Sequence, residues 1–337
     1  MVSLSAVYEV TQNNHMKKYI TGLLLSLLVT VVLYGAAVVA GGSEETLEKL
    51  ADLSLATWLI VIALSLGNYV LRFVRWHFYI AKLSQSRVPL WEHWLIYLAG
   101  FSLTTTPGKA GEVLRSLYLV RDGVSYSDSI GAWFVERVVD LITILLLALL
   151  AVSYFNNADA NTSAAVVGIV VICALPLLHS PLPSWLLDRT ASAIPRLSGL
   201  ASRLRGLLAQ SVLLLRSKFL LSGLMIGLVA WFLEGFGFYL VLRELSVESG
   251  MLLAVGIYGL GVLIGALSFI PGGLGSTEAA MLIFLNAVGA DAASAVAATL
   301  VCRIVTLWLA VFLGILAALI LGSMGRVPLF SIGAENK

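Results

Sequence analysis

Apolar residues recur along this chain in long unbroken runs, without the alternation of a half-buried strand or the single stripe of a surface helix. Six runs, at 19–40, 55–72, 129–152, 164–178, 219–242 and 292–321, approach or exceed a membrane span, which needs about 20 mostly apolar residues. Each predicts a spanning helix. The first is too long for the apolar core of a cleaved signal peptide, and no small-residue cleavage site precedes a soluble domain. Two further runs are different. The run 91–106 leads into Pro107-Gly108, and 251–270 carries four glycines and leads into Pro271-Gly272-Gly273. Each is followed by a second short helix-like stretch, 110–120 and 276–288. Each pair predicts a re-entrant hairpin rather than a full span.

Composition supports lipid as the solvent. Of 337 residues, 59% are hydrophobic and 12% charged, and the mean hydropathy is +0.96. Soluble chains run at about 45–50% apolar and about 25% charged. Disorder, collagen and coiled coil are excluded, and a net charge of +2 gives no reason to expect nucleic acid. Cys173 and Cys302 lie inside apolar runs, and His15, His77, His93 and His179 show no metal-ligand spacing. No metal or cofactor is expected.

The distribution of basic residues sets an orientation. With six spans and two hairpins, 15 basic residues fall on the inner side, among them Lys17, Arg72, Arg75, Lys82, Arg121 and Arg326, and two, Lys49 and Arg243, fall outside. Both termini are then inside. The predicted organisation is a cytoplasmic segment 1–18, a first membrane repeat 19–152, a second repeat 153–321 and a cytoplasmic tail 322–337. The basic loop 181–218 reads as an interfacial helix on anionic lipid headgroups, or as a docking site for a soluble partner. A homodimer is compatible with this layout.

The two halves look alike. Pro107-Gly108 and Pro271-Gly272 are 164 positions apart, and Arg137 and Arg303 are 166 apart. Glu112 and Glu278 follow the two tips at nearly matching distance. The fold class expected is an all-α polytopic membrane protein built from an inverted repeat of span, span, re-entrant hairpin, span. An odd number of crossings per copy turns the second copy upside down, so the tips enter from opposite sides. Non-helical backbone survives at membrane depth only inside protein or beside a wet cavity, and such repeats place binding sites where their broken helices meet.

Nine charges fall at membrane depth: Lys109, Glu112, Arg115, Glu136, Arg137, Asp140, Glu234, Glu278 and Arg303. Each costs about 2.5–3.5 kcal/mol at a helix centre on insertion scales, so they must pair or line a cavity. Glu136 and Asp140 share a helix face, as do Thr299, Arg303 and Thr306. At the tips, Gly108, Gly111, Gly272, Gly273 and Gly275 let backbone N–H groups approach a ligand. Helices starting at Ala110 and Ser276 would aim their N-termini at it. With Lys109 and Arg115 nearby, a phosphate is the natural guest. Three roles are open to Glu112 and Glu278: binding a cationic part of the guest's headgroup, carrying a coupling proton, or locking Arg137 and Arg303; Glu136, Asp140 and Glu234 are candidates for charge balance and proton coupling.

Four segments together carry a resemblance: Thr106-Pro107-Gly108-Lys109-Ala110-Gly111-Glu112-Val113-Leu114-Arg115, Glu136-Arg137-Val138-Val139-Asp140, Phe269-Ile270-Pro271-Gly272-Gly273-Leu274-Gly275-Ser276-Thr277-Glu278-Ala279 and Arg303-Ile304-Val305-Thr306-Leu307-Trp308. They resemble the signatures of the lysylphosphatidylglycerol synthase transmembrane family, over about residues 19–321. The resemblance implies a flippase-like domain in a bacterial or archaeal cytoplasmic membrane. In two-part members that domain moves aminoacylated phospholipid between leaflets, and a separate soluble domain makes the lipid. Here 16 residues follow Leu321, so a soluble synthase domain is not expected. Stand-alone members are associated with lipid or polyprenyl-phosphate-linked glycan pathways. The function expected is transport of an anionic, phosphate-bearing lipid, with Pro107, Gly108, Lys109, Gly111, Glu112, Arg115, Arg137, Pro271, Gly272, Gly273, Gly275, Glu278 and Arg303 around its headgroup. The alternatives are an integral-membrane enzyme acting on a lipid-linked sugar and a non-catalytic scaffold for a partner synthase.

Overall fold

The computed structural model describes residues 42–85, 88–155 and 217–326, with isolated positions at 32, 34, 35, 38, 39, 189, 211, 213–215 and 328. The expected spans 164–178 and most of 19–40, and nearly all of the loop 181–218, lie outside the described residues. Among the described residues all regular structure is helical. In chain order these are α1 (Ser43–Asp52), α2 (Leu55–Leu83), α3 (Leu90–Phe101), a 3-10 segment (Pro107–Val113), α4 (Leu114–Leu119), α5 (Tyr126–Phe155) and α6 (Ser217–Glu244). There follow α7 (Met251–Leu267), a 3-10 turn (Pro271–Gly273), α8 (Ser276–Ala287), α9 (Ala292–Arg303), a π-helical turn (Ile304–Trp308) and α10 (Leu309–Ser323).

Local chemistry explains where several helices begin. Ser54 caps α2, its hydroxyl accepting from the Thr57 N–H at 3.2 Å. Asp291 caps α9 by accepting from the Ser294 N–H at 2.8 Å, and this bond holds its carboxyl below the usual carboxylate range. The stretches Leu55–Leu83, Lys218–Glu244 and Ala292–Ser323 are each long and apolar enough to cross a membrane. Their outward faces carry exposed Leu55, Leu59, Phe78, Leu221, Val229, Phe312 and Leu319. In water such a surface would drive association; in lipid it faces its own solvent.

Two apolar clusters make the core. One joins the far ends of α2 and α5 to α6, α7, α8 and α9. The other joins the remaining parts of α2 and α5 to α3, α4 and α10. Along α2, Val61 belongs to the first cluster and Tyr69–Ile80 to the second; along α5, Ala132–Val139 belong to the second and Ile144–Ala151 to the first. On these two helices the buried charges Arg72, Arg75 and Glu136 lie within the second cluster's stretches, and Asp140 lies between the two clusters.

The structure corrects three sequence expectations. The helix expected over 55–72 continues to Leu83. Arg72 and Arg75 therefore do not cap its inner end; they are 4% and 1% exposed and lie inside the protein. The spacing that puts them there is Ser65, Asn68, Tyr69, Arg72, Arg75, Trp76 and Tyr79 on one buried face. No α-helix begins at Ala110: Pro107–Val113 is 3-10, and the α-helical turns start at Leu114. The stretch after the first tip thus offers no α-helical N-terminus at the tip. The polar stripe expected of Thr299, Arg303 and Thr306 is divided: Arg303 and Thr306 border a cavity, whereas Thr299 is buried away from it and its hydroxyl donates to Ala295 O at 2.8 Å.

A cavity between the two hairpin tips

The tips touch. A Cβ added to Gly272 would lie 3.4 Å from Thr105 Cγ2. Gly272 and Gly273 both have φ of +64°, a left-handed conformation that glycine adopts without strain. Tight packing also requires glycine at Gly265, where a Cβ would meet Thr277 Oγ1 at 2.0 Å.

Beside the tips lies a cavity of about 320 Å³. Tyr69, Arg72, Lys109, Arg137, Asp140, Trp231, Glu234, Tyr258, Gly272, Gly273, Arg303 and Thr306 line it, so four cationic side chains face two carboxylates. Leu141, Leu267, Phe269 and Ile270 also line it and are 42%, 60%, 71% and 43% exposed. The cavity thus has a charged interior and an apolar, open lip.

A buried ion network backs one wall. Asp140 accepts from Arg75 Nη2 at 2.5 Å, from Arg72 Nη2 at 3.2 Å and from Trp231 Nε1 at 3.2 Å. Arg137 Nη2 lies 3.0 Å from the same carboxylate. Glu136 pairs with Arg115 and accepts from the Tyr97 hydroxyl at 2.9 Å. Arg115 stacks on Trp76, 3.7 Å from the ring centroid. Glu112 accepts from Thr104 at 2.8 Å and lies 3.5 Å from Arg137. A carboxylate buried without cations would be prohibitively costly; here each gains guanidinium partners and a hydroxyl or indole donor.

The second tip is held by a smaller cluster. Arg303 Nε donates to Glu278 Oε1 at 2.7 Å, and Arg303 Nη2 donates to the Gly272 carbonyl at 2.6 Å. Tyr34 donates to Glu278 at 3.1 Å. Just past Arg303 the π-helical turn disturbs the regular backbone ladder. The Tyr69 hydroxyl donates to the Thr306 carbonyl there at 2.8 Å.

Of the expected site residues, Lys109, Arg137, Gly272, Gly273 and Arg303 reach the cavity lining, together with Asp140 and Glu234. Gly111, Glu112, Arg115, Glu136, Pro271, Gly275 and Glu278 stand behind it or beside it. Pro107 and Gly108 are placed as backbone of the 3-10 segment. Two tip N–H groups expected to face a ligand are engaged within the chain: Gly111 N–H donates to Thr106 Oγ1 at 2.6 Å, and Gly275 N–H to Glu278 Oε2 at 2.7 Å. The N-terminus of α8 is therefore already answered by an anion of its own.

Sequence reading missed Tyr69, Arg72, Trp231 and Tyr258 as lining residues. Arg72 and Tyr69 were legible from the face they share with Asn68 and Arg75. Trp231 sits one turn before Glu234, the same signal. Tyr258 carried none.

Comparison with known proteins sets the chain among membrane proteins. The chain is 25% identical over 328 residues to a UPF0104 membrane protein of Methanothermobacter thermautotrophicus, covering 88% of this chain and 95% of that one. It is 23% identical over 327 residues to a UPF0104 membrane protein of Pyrococcus horikoshii, covering 89% and 96%. The family model described as the lysylphosphatidylglycerol synthase TM region matches residues 19–314. The chain is a membrane protein of the lysylphosphatidylglycerol synthase TM region family.

Proposed function

We propose that this protein transports an anionic, phosphate-bearing lipid, a phospholipid or a polyprenyl-phosphate-linked lipid, between leaflets. The observation that carries the reading is the form of the cavity: cationic side chains inside, an exposed apolar lip outside, between two broken-helix tips. An amphipathic guest fits that arrangement, its phosphate beside Lys109, Arg137 and Arg303 and its chains leaving across Leu267, Phe269 and Ile270. The cationic excess favours a negative headgroup.

The proposed architecture is six spans and two re-entrant hairpins in two inverted copies, with both termini inside. Helix partnership supports it. The arm α3 of the first hairpin packs on α10, which follows the second hairpin; the arm α7 of the second packs on α5, which follows the first; α2 and α6 pack on each other. A two-fold relation between the copies generates this exchange. Rocking one copy against the other would open the cavity to each leaflet in turn.

The test is leaflet exchange in proteoliposomes with a fluorescent phosphatidylglycerol and a short polyprenyl phosphate, comparing wild type with Lys109→Met. Lys109 makes no ion pair among the described residues and lies over Trp231, 5.6 Å from the ring centroid. Its removal therefore strands no carboxylate. Exchange slowed at least tenfold in the variant is expected. Absence of exchange by wild type with either lipid would sink the transport reading.

A further inference from the structure

We infer that Glu234 is a proton-binding site coupled to the anionic headgroup, an inference that rests on the transport reading above. Among the described residues five carboxylates lie in the buried region around the tips, and four of them have guanidinium partners. Arg137 lies 3.5 Å from Glu112, Arg115 pairs with Glu136, Arg75 bonds Asp140 at 2.5 Å and Arg303 bonds Glu278 at 2.7 Å. Glu136 and Asp140 are thereby fixed as structural anions. Glu234 differs. It is 5% exposed and lines the cavity, and its Oε2 accepts from the Tyr258 hydroxyl. Among the described residues no cation stands within ion-pair distance of it.

A carboxylate withdrawn from water without a counter-ion is costly, and a bound proton removes that cost. Whether Glu234 holds a proton depends on the charges that face it. From α2 these are Tyr69 and Arg72, from α5 Arg137 and Asp140, from the first tip Lys109, from α7 Tyr258, and from α9 Cys302 and Arg303. The cations among them favour its ionised form. A phosphodiester seated beside Lys109, Arg137 and Arg303 would offset that cationic field at Glu234, and a proton would then bind the carboxylate. By linkage the reverse holds: a protonated Glu234 leaves the cations free to attract the phosphate. Headgroup and proton would enter and leave the cavity together.

Two readouts test this. Infrared titration of the reconstituted protein, with no added lipid substrate, should show a protonated-carboxyl band that Glu234→Gln removes and Tyr258→Phe displaces along the pH axis. Exchange of fluorescent phosphatidylglycerol should change at least threefold when a pH gradient is imposed on wild type, and the ratio with and without the gradient should fall to one in Glu234→Gln, whatever its absolute rate. A band unchanged in Glu234→Gln, or a gradient response retained in that variant, overturns the proton site and leaves transport standing. Wild type that exchanges no lipid overturns the transport reading itself. Glu234→Asp, which keeps a carboxylate, should restore part of the gradient response.

Discussion

Arg303 binds the backbone of the second tip and the helix after it at the same time, donating to the Gly272 carbonyl at 2.6 Å and to Glu278 at 2.7 Å. Glu278 in turn accepts from the Gly275 N–H that opens α8. One guanidinium therefore ties down a short 3-10 turn that lies outside the α-helical ladders on either side of it. The fork geometry matters: a single ammonium cannot reach both acceptors along the same directions.

Replacing Arg303 with Met should destabilise the protein by about 3–5 kcal/mol, because Glu278 is left as a buried carboxylate without its cation. Arg303→Lys should recover part of the loss. Adding Glu278→Gln to Arg303→Met should recover more, since both ends of the pair are then neutral. Thermal unfolding in detergent of the two single variants and the double variant measures this as a cycle. Strict additivity of the two changes would show that the pair is not coupled.

Much of this arrangement was legible before the structure. The Pro-Gly tips interrupt apolar runs, and the rule that bare backbone must be covered at membrane depth brings the tips inside. Arg137 and Arg303 follow as charges that need partners. What the pattern could not show was which partner each would take. Arg72 and Arg75 looked like the inner end of a span because hydropathy falls there, yet the helix continues to Leu83 and turns both toward Asp140. A hydropathy run ends at the first charge whether that charge meets water or a carboxylate from another helix. Tyr258 was invisible for a related reason: a tyrosine in an apolar helix carries no sign of the carboxylate it will meet.

Close helix contact depends on Gly256 and Gly314. A Cβ on Gly256 would fall 2.3 Å from the Ala151 backbone N, and one on Gly314 would fall 2.3 Å from the Ser102 backbone N. Each contact joins a hairpin arm to the helix that follows the other hairpin. Backbone atoms cannot swing aside as a side-chain tip can, so Gly256→Val and Gly314→Val should each cost about 1–3 kcal/mol or more by forcing the helices apart. Gly322, whose Cβ would meet nothing within 4 Å, is the control and should accept Ala with little change. Unfolding temperatures in one detergent compare all three. Equal losses at Gly314 and Gly322 would contradict the packing account.

Arg75 and Arg137 separate the structural half of the network from the half that faces the cavity. Both reach Asp140 and Glu136. The Arg75 side chain is fully buried and lies away from the cavity, whereas the Arg137 side chain is 17% exposed and lines it. Neutralising Arg75 removes the shortest bond to Asp140 from a site that water cannot refill, so Arg75→Gln should cost about 3–5 kcal/mol. Arg137→Gln leaves Asp140 to Arg72 and Arg75 but takes from Glu112, 1% exposed, its guanidinium partner, so it should cost a comparable amount. The two variants part in function: lipid exchange per folded molecule should fall further in Arg137→Gln than in Arg75→Gln. Unfolding curves and exchange rates on the same two preparations decide the matter. If both variants lose stability and exchange in the same proportion, the network acts as one structural unit and Arg137 has no separate part in holding the headgroup.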